Sequence, residues 1–283
     1  MIVDPSRSRY AIIDVSGLAY ARWHTIPASF WKNDPGTLFG ALHQSCSKIA
    51  DDLCVGNLVF CFDGGYDYRR EIWPEYKKPR QKAREIESPE TKELRKILFE
   101  QMDAFREYHL PMVGCKNVFY AKGFEADDLI AACVKGLPDA SKIYVVSNDE
   151  DLFQLIEGNR VVVYRPPTKT VVNETDFRAT HHDMPPCLYA SAKAWAGCGS
   201  DNIIGLPGIG MKRASQFIMG KGSESFRKTF YDSVEVFNKN IKLTKLPAPG
   251  TPECQVVEQV EPIRWNVMAE IFQTNRAPKG IRK

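Results

Sequence analysis

Nothing in the 283 residues approaches the run of roughly 18 apolar positions that a membrane-crossing helix requires. The start, Met1-Ile2-Val3-Asp4-Pro5, lacks the basic and apolar regions of a secretory leader. The expectation is a cytoplasmic protein with no membrane partner. No Cys-x-x-Cys pair occurs among the eight cysteines, and several stand in apolar surroundings such as Val59-Phe60-Cys61-Phe62. That argues against a disulfide scaffold and predicts reduced, mostly buried thiols. His181, His182 and Cys187 match no tetrahedral zinc spacing and read as loop residues in a Pro-rich segment. No internal repeat is present.

What is there is ordinary for a globular chain, 43% hydrophobic and 26% charged, long enough for one large domain or two unequal ones. The net charge of +3 is unevenly spread: residues 186–283 carry 14 Lys and Arg against 8 Asp and Glu, leaving 24 against 27 for residues 1–185. An acidic part beside a basic part suits an enzyme acting on a polyanion.

Ala11-Ile12-Ile13-Asp14, Leu58 to Asp63 and Ile143 to Ser147 are short, continuously apolar runs that end in or just before an acidic residue. Such runs are expected of strands buried on both faces of a parallel sheet. Leu38–Leu53, Ser88–Tyr108 and Ala126–Lys135 between them are long enough for helices, which predicts repeated strand-helix units. Ligands of open parallel sheets sit at the carboxyl ends of the strands, where Asp14, Asp63 and Asp149 would meet. Converging carboxylates repel one another and resist desolvation, so a set of this kind predicts a divalent cation. Glu125 and Asp128, three apart at a helix start, share a face, with Asp127 nearby. Acidic residues in a first turn also suit the helix dipole without any metal.

Two further segments read as nucleic-acid contacts. Residues 66–84 interleave Arg69, Arg70, Lys77, Lys78, Arg80, Lys82 and Arg84 with Tyr66, Tyr68, Trp73 and Tyr76. Cations would hold phosphates while rings stack on bases of a single strand. Asp201 opens a glycine-rich stretch to Gly210 that leads into a basic helix start, where Gly208 and Gly210 can bring backbone amides to a phosphate beside Lys212 and Arg213. Leu246 to Pro252 reads as a loop and Arg276–Lys283 as a basic tail.

Together these segments resemble the 5′ nuclease family, which comprises flap endonucleases, the 5′-3′ exonuclease domain of bacterial DNA polymerase I and phage replication nucleases. The resemblance runs from Ile12 to Ile218. Gly123-Phe124-Glu125-Ala126-Asp127-Asp128, Ser147 to Leu155, Ser200 to Gly210, and Phe62-Asp63 followed by Arg69-Arg70 and Pro74 to Arg80 carry it. It implies a PIN-like α/β fold with a parallel sheet flanked by helices: a nuclease core over residues 1–185, including a helical arch at about 65–110. It also implies a C-terminal helix-hairpin-helix-type DNA-binding region over residues 186–283.

By the same resemblance, Asp14, Asp63, Glu125, Asp127, Asp128 and Asp149 would hold a first divalent metal, and Asp151 and Asp201 a second. Lys77 and Arg80 would meet the scissile phosphate with Arg22 assisting, and Asp128 and Asp149 would count among the catalytic residues. The implied cofactor is magnesium, with manganese able to substitute and potassium at the glycine turn. The implied activity is structure-selective 5′-3′ exonuclease and flap endonuclease cleavage by a monomer. Its substrate would be DNA with a 5′ flap or a 5′ end beside duplex, RNA primers included. Two alternatives stay open, a PIN-class ribonuclease and a non-catalytic protein that grips branched DNA. The second is prompted by one departure: Cys198 stands where the family places a metal-binding aspartate, and a thiol is a poor ligand for magnesium.

Overall fold

The computed structural model describes residues 8–33 and 36–266; the basic tail expected at Arg276–Lys283 lies outside the described residues. Six strands form one sheet: β1 (Arg9–Asp14), β2 (Asn57–Phe62), β3 (Asn117–Tyr120), β4 (Lys142–Val146), β5 (Val161–Arg165) and β6 (Thr170–Val172). Their order is β3-β2-β1-β4-β5-β6, parallel except for the antiparallel edge strand β6. Alternation along each strand sends side chains into two cores. Ile12, Val59, Cys61, Val145 and Val163 pack on one face with Leu129, Ile130 and Trp195. Ile13, Phe60, Phe62, Val146 and Val162 pack on the other with Leu42, Leu98 and Phe105. Two covered faces explain why these strands read as unbroken apolar runs.

Helices α1 (Val15–Thr25), α2 (Ala28–Asn33) and α3 (Thr37–Leu53) follow β1. Asp14 caps α1 by accepting from the Gly17 N–H, and Cys54 ends α3 in the left-handed conformation at φ 51°. After β2 come α4 (Asp67–Ile72), α5 (Lys78–Glu85) and α6 (Pro89–Ala104), the last started by the Ser88 side chain and by Pro89. A π-helical turn, Phe105–His109, continues α6 into α7 (Leu110–Met112). Helix α8 (Ala126–Lys135) follows β3, a 3-10 turn Glu150–Leu155 follows β4, and α9 (Glu174–Thr180) follows β6.

Beyond residue 185 the chain folds as α10 (Tyr189–Ala196), the two-residue strands β7 (Gly197–Cys198) and β8 (Ile203–Ile204), then α11 (Met211–Ile218), α12 (Glu224–Tyr231) and α13 (Val234–Thr244). The hydrophobic core crosses the boundary expected at 185/186, since Trp195, Ala214 and Phe230 share one cluster with Ile12 and Val145 of the sheet. The chain then returns to the nuclease core. The Val257 carbonyl accepts from Asn117 at 2.8 Å, and the Gln259 N–H donates to Asn57 at 2.8 Å. Among the described residues no helix is long and apolar enough to cross a membrane.

Candidate active site

The strand order reverses direction at β1, with β2 on one side and β4 on the other, and a cavity of 380 Å³ opens at the carboxyl ends of these strands. Asp14 ends β1, Asp63 directly follows β2, Asp149 follows β4, and Glu125 and Asp127 open α8; all five line the cavity. Asp14 accepts from the Gly17 N–H at 2.8 Å and from the Ser147 hydroxyl at 2.9 Å. Asp63 accepts from the Ala126 N–H and Asp149 from the Asp151 N–H, each at 2.8 Å.

Burial, then the charge of Asp63, pushes the Asp14 carboxyl up to about 7 against those two hydrogen bonds. Burial and the charges of Asp149, Asp14, Glu125 and Asp63 raise Asp127 well above the ordinary carboxylate range. Among the described residues Asp127 makes no hydrogen bond or ion pair. The carboxylates stand apart, and among the described residues no three His, Cys, Asp or Glu side chains close on one point as a ready metal cage. An all-oxygen donor set, in which Asp14 and Asp127 hold a proton more tightly than an ordinary carboxylate, nevertheless fits a hard divalent ion, which would relieve their repulsion.

Basic and aromatic side chains close the cavity from above. Lys77, at φ 53° before α5, pairs with Glu125 and lies 3.8 Å from Asp201. Arg80 donates to Asp201 at 3.0 Å, and Arg84 reaches the Tyr20 hydroxyl at 3.4 Å. Tyr20 meets Phe99 edge to face at 6.4 Å. Arg106, on the π-helical turn, lines the opposite wall with its guanidinium 4.0 Å from the Tyr120 ring centroid. Tyr20, Phe99, Ser147 and Arg106 were not anticipated as site residues, and Arg84 was seen only as one charge of a basic stretch. Helical spacing alone gives no sign that the register shifts by one residue in the π turn and turns Arg106 inward.

Several expected site residues lie elsewhere. Asp128 is fully buried and points away from the cavity, gripped by Arg69 at 2.6 and 2.9 Å and by the Ala248 N–H at 2.9 Å. Its carboxylate also accepts from the Glu125 N–H at 3.2 Å, completing a capping box. Asp128 is therefore a cap and an ion-pair partner here, because all its strong acceptor positions are taken. Arg69, 3% exposed, bonds Asp128 and the Leu243 carbonyl and offers nothing to a solvent-borne phosphate.

Arg70 donates to Gln81 and lies over Tyr66, Lys78 pairs with Glu75, and Arg22 turns to Ser45. Asp151 pairs with Lys193, and Asp201 with Arg80; neither lines the cavity. Gly208 at φ +73°, Gly210, Lys212 and Arg213 are exposed around the start of α11, with Arg213 donating to the Gly208 carbonyl at 3.2 Å. Cys198 is half-buried beside Ser200 and Asp201.

Besides the Arg80–Asp201 bond, four hydrogen bonds join the base of α4 and α5 to the segment before the glycine turn. The Lys77 N–H donates to the Asp201 carbonyl at 2.9 Å and Trp73 Nε1 to the Asn202 carbonyl at 2.9 Å. Asn202 Nδ2 donates to the Glu75 carbonyl at 2.8 Å and Arg80 Nε to the Ser200 carbonyl at 3.1 Å.

A parallel sheet with a carboxylate-floored cavity at its switch point, roofed by basic helices, defines a metal-dependent nuclease. The model of the 5′-3′ exonuclease N-terminal resolvase-like domain matches residues 9–182, and the chain belongs to the 5′-3′ exonuclease family. It is 29% identical over 238 residues to a 5′-3′ exonuclease of Mycoplasmopsis pulmonis, covering 84% of this chain and 74% of that protein. It is 27% identical over 248 residues to DNA polymerase I of Bacillus subtilis, covering 83% of this chain but 26% of the polymerase. Among solved structures, the phage T5 5′-exonuclease with bound zinc superposes with a TM-score of 0.69 at 24% identity, over 84% of this chain and 90% of that one. The T5 D15 flap endonuclease in a complex with DNA and metal ions gives 0.71 at 24% identity, over 84% and 89%.

Proposed function

We propose that the chain hydrolyses DNA phosphodiesters at a 5′ flap, or at a 5′ end beside duplex, and releases products bearing 5′-phosphates. Magnesium, with manganese able to replace it, is the proposed cofactor, held by Asp14, Asp63, Asp127 and Asp149 with Glu125 at the edge of the set. The observation that carries this reading is the convergence of those five carboxylates on one cavity, with Asp14 and Asp127 raised by burial and then by their charged neighbours. An ion held there would supply Lewis acidity and a nucleophilic water at neutral pH.

The side chains of the chain do the rest. Lys77, already beside Glu125, places an ammonium where charge grows on the phosphate, and a prepositioned cation in a poorly hydrated site stabilises that charge strongly. Arg80 and Arg84 stand one and two helical turns further along α5, spaced to follow a phosphate backbone. Tyr20 and Phe99 supply an aromatic wall for a terminal base. The turn from Gly205 to Gly210, exposed at Pro207, Gly208 and Gly210, and the basic start of α11 would take the backbone of the adjoining duplex, with potassium at the turn, in a helix-hairpin-helix-type manner. Phosphate contacts carry no base code, so the selectivity is for structure. RNA primer strands, a monomeric state and a cytoplasmic setting belong to the same reading.

The test is cleavage of labelled 5′-flap, nicked, blunt and single-stranded DNA, with matched RNA, across magnesium and manganese concentrations. Metal-dependent release of 5′-phosphorylated products from the flap is the expected result. Cleavage of the RNA alone would replace this reading with a ribonuclease. Tight junction binding without cleavage in either metal would replace it with a binding protein.

A further inference from the structure

The acidic residues beyond the cavity are neutralised differently from those inside it. Asp151 holds the ammonium of Lys193, which reaches it from α10 with its side chain only 13% exposed. Asp201 accepts from Arg80 at 3.0 Å and has Lys77 at 3.8 Å. Its second oxygen faces the Cys198 thiol, which donates to it at 3.7 Å. Two carboxylates are thus met by Lys193 and Arg80, with Lys77 shared with Glu125. Inside the cavity Glu125 is met by Lys77 and, at 3.2 Å, by Arg69, whereas Asp14, Asp63, Asp127 and Asp149 make no ion pair among the described residues.

We propose that the Asp151, Cys198 and Asp201 cluster takes no divalent ion, its positive charge being supplied by Lys193 and Arg80, so that the protein binds a single tightly held cation. The inference rests on the reading of the cavity as the metal centre. To enter the outer cluster, a divalent ion would have to displace a half-buried ammonium and accept a thiol as a donor, which magnesium and manganese disfavour against oxygen. A carboxylate at position 198 would add the missing charge and donor together. The departure at Cys198 and the Lys193–Asp151 pair are then two halves of one arrangement: a fixed side-chain charge where a second ion would otherwise be needed.

Manganese bound per chain, counted by native mass spectrometry and by the electron paramagnetic resonance signal of free ion in a titration, decides the matter. One ion is expected for the wild-type chain, and two for the Cys198→Asp/Lys193→Met double variant. Asp151→Asn alone, which keeps the wild-type cysteine and lysine, is expected to leave the count at one with affinity within about twofold. Two ions in the wild type, one in a folded double variant, or loss of the ion in Asp151→Asn would each overturn the inference while leaving the cavity reading intact. No bound ion in folded wild-type protein would overturn the cavity reading, and this inference with it.

Discussion

Arg69 and Asp128 form a bidentate ion pair, 2.6 and 2.9 Å, in which both side chains are almost wholly excluded from solvent. Arg69 also bonds the Leu243 carbonyl and Asp128 the Ala248 N–H, so the pair ties α4 and α8 to the chain around the end of α13. Removing one partner leaves a buried charge uncompensated. Asp128→Asn should lower stability by about 3 to 5 kcal/mol, read by denaturant unfolding, while manganese still binds the folded fraction. Loss of the ion with unchanged stability would return Asp128 to the ligand set.

Asp127 is the opposite case, a carboxylate among carboxylates with no counter-charge among the described residues. Asp127→Asn should raise the melting temperature of metal-free protein at pH 8, because it deletes repulsion. The same change should reduce metal-dependent cleavage by on the order of 10²-fold or more, because the ion loses a donor. A variant that is both less stable without metal and fully active would contradict the placement.

The raised Asp14 carboxyl fixes the sign of a pH effect. Its ordinary value is 3.8 and its folded value about 7, so between these limits the folded state holds a proton that the unfolded state has lost. Stability of the metal-free protein should therefore fall as pH rises from about 4 to 7, by on the order of a few kcal/mol, and level off above. Saturating magnesium should flatten this slope, and the stabilisation it gives should be greater at pH 8 than at pH 5.5. Thermal melts in chelator and in magnesium across that range measure both.

Lys77→Met keeps the aliphatic stem and removes the ammonium. Single-turnover cleavage should slow by about 10² to 10³-fold, the usual loss for a prepositioned electrostatic group. Manganese affinity should not weaken, since Glu125 is released from one of its two cationic partners. Rate and affinity measured on the same preparation separate this role from a merely structural one.

Gly197 sits at φ +79°, and a Cβ there would lie 2.4 Å from the Gly205 nitrogen and 2.6 Å from the Ile203 carbonyl oxygen. Gly197→Ala should cost about 3 kcal/mol, from left-handed strain and backbone collision together. A calorimetric scan showing wild-type stability would mean that the β7 and β8 pair is not formed as described.

The strands that carry Asp14, Asp63 and Asp149 were legible because burial on both faces leaves an unbroken apolar run closed by an acid. Helices α3 and α8 were legible for the usual reason of length and periodicity. Strands β3 and β5 were not anticipated: β3 is only four residues with an exposed end, and Val161–Arg165 follows its turn without an acidic marker. The Glu125 to Asp128 cluster admits two readings in sequence, a metal site and a helix start, and the structure divides its residues between two surroundings. Glu125 and Asp127 face the cavity, whereas Asp128 caps the helix and binds Arg69. Spacing fixes a shared helix face but not which neighbour answers it. Arg69 reads in the sequence as a nucleic-acid contact because the partners that bury it lie 59 and 174 positions away. Cys198 is legible in the sequence as a departure, whereas Lys193 is not, because its pairing with Asp151 across 42 positions is visible only in the fold.

The five hydrogen bonds between residues 73–80 and 200–202 leave little play between the cations over the cavity and the glycine turn that follows. If one end seats a duplex and the other the bond to be cut, the molecule is a ruler. The place of incision is then measured from the junction by the length of protein between them, and loosening any stitch, as in Asn202→Ala, should scatter product lengths before it slows their release.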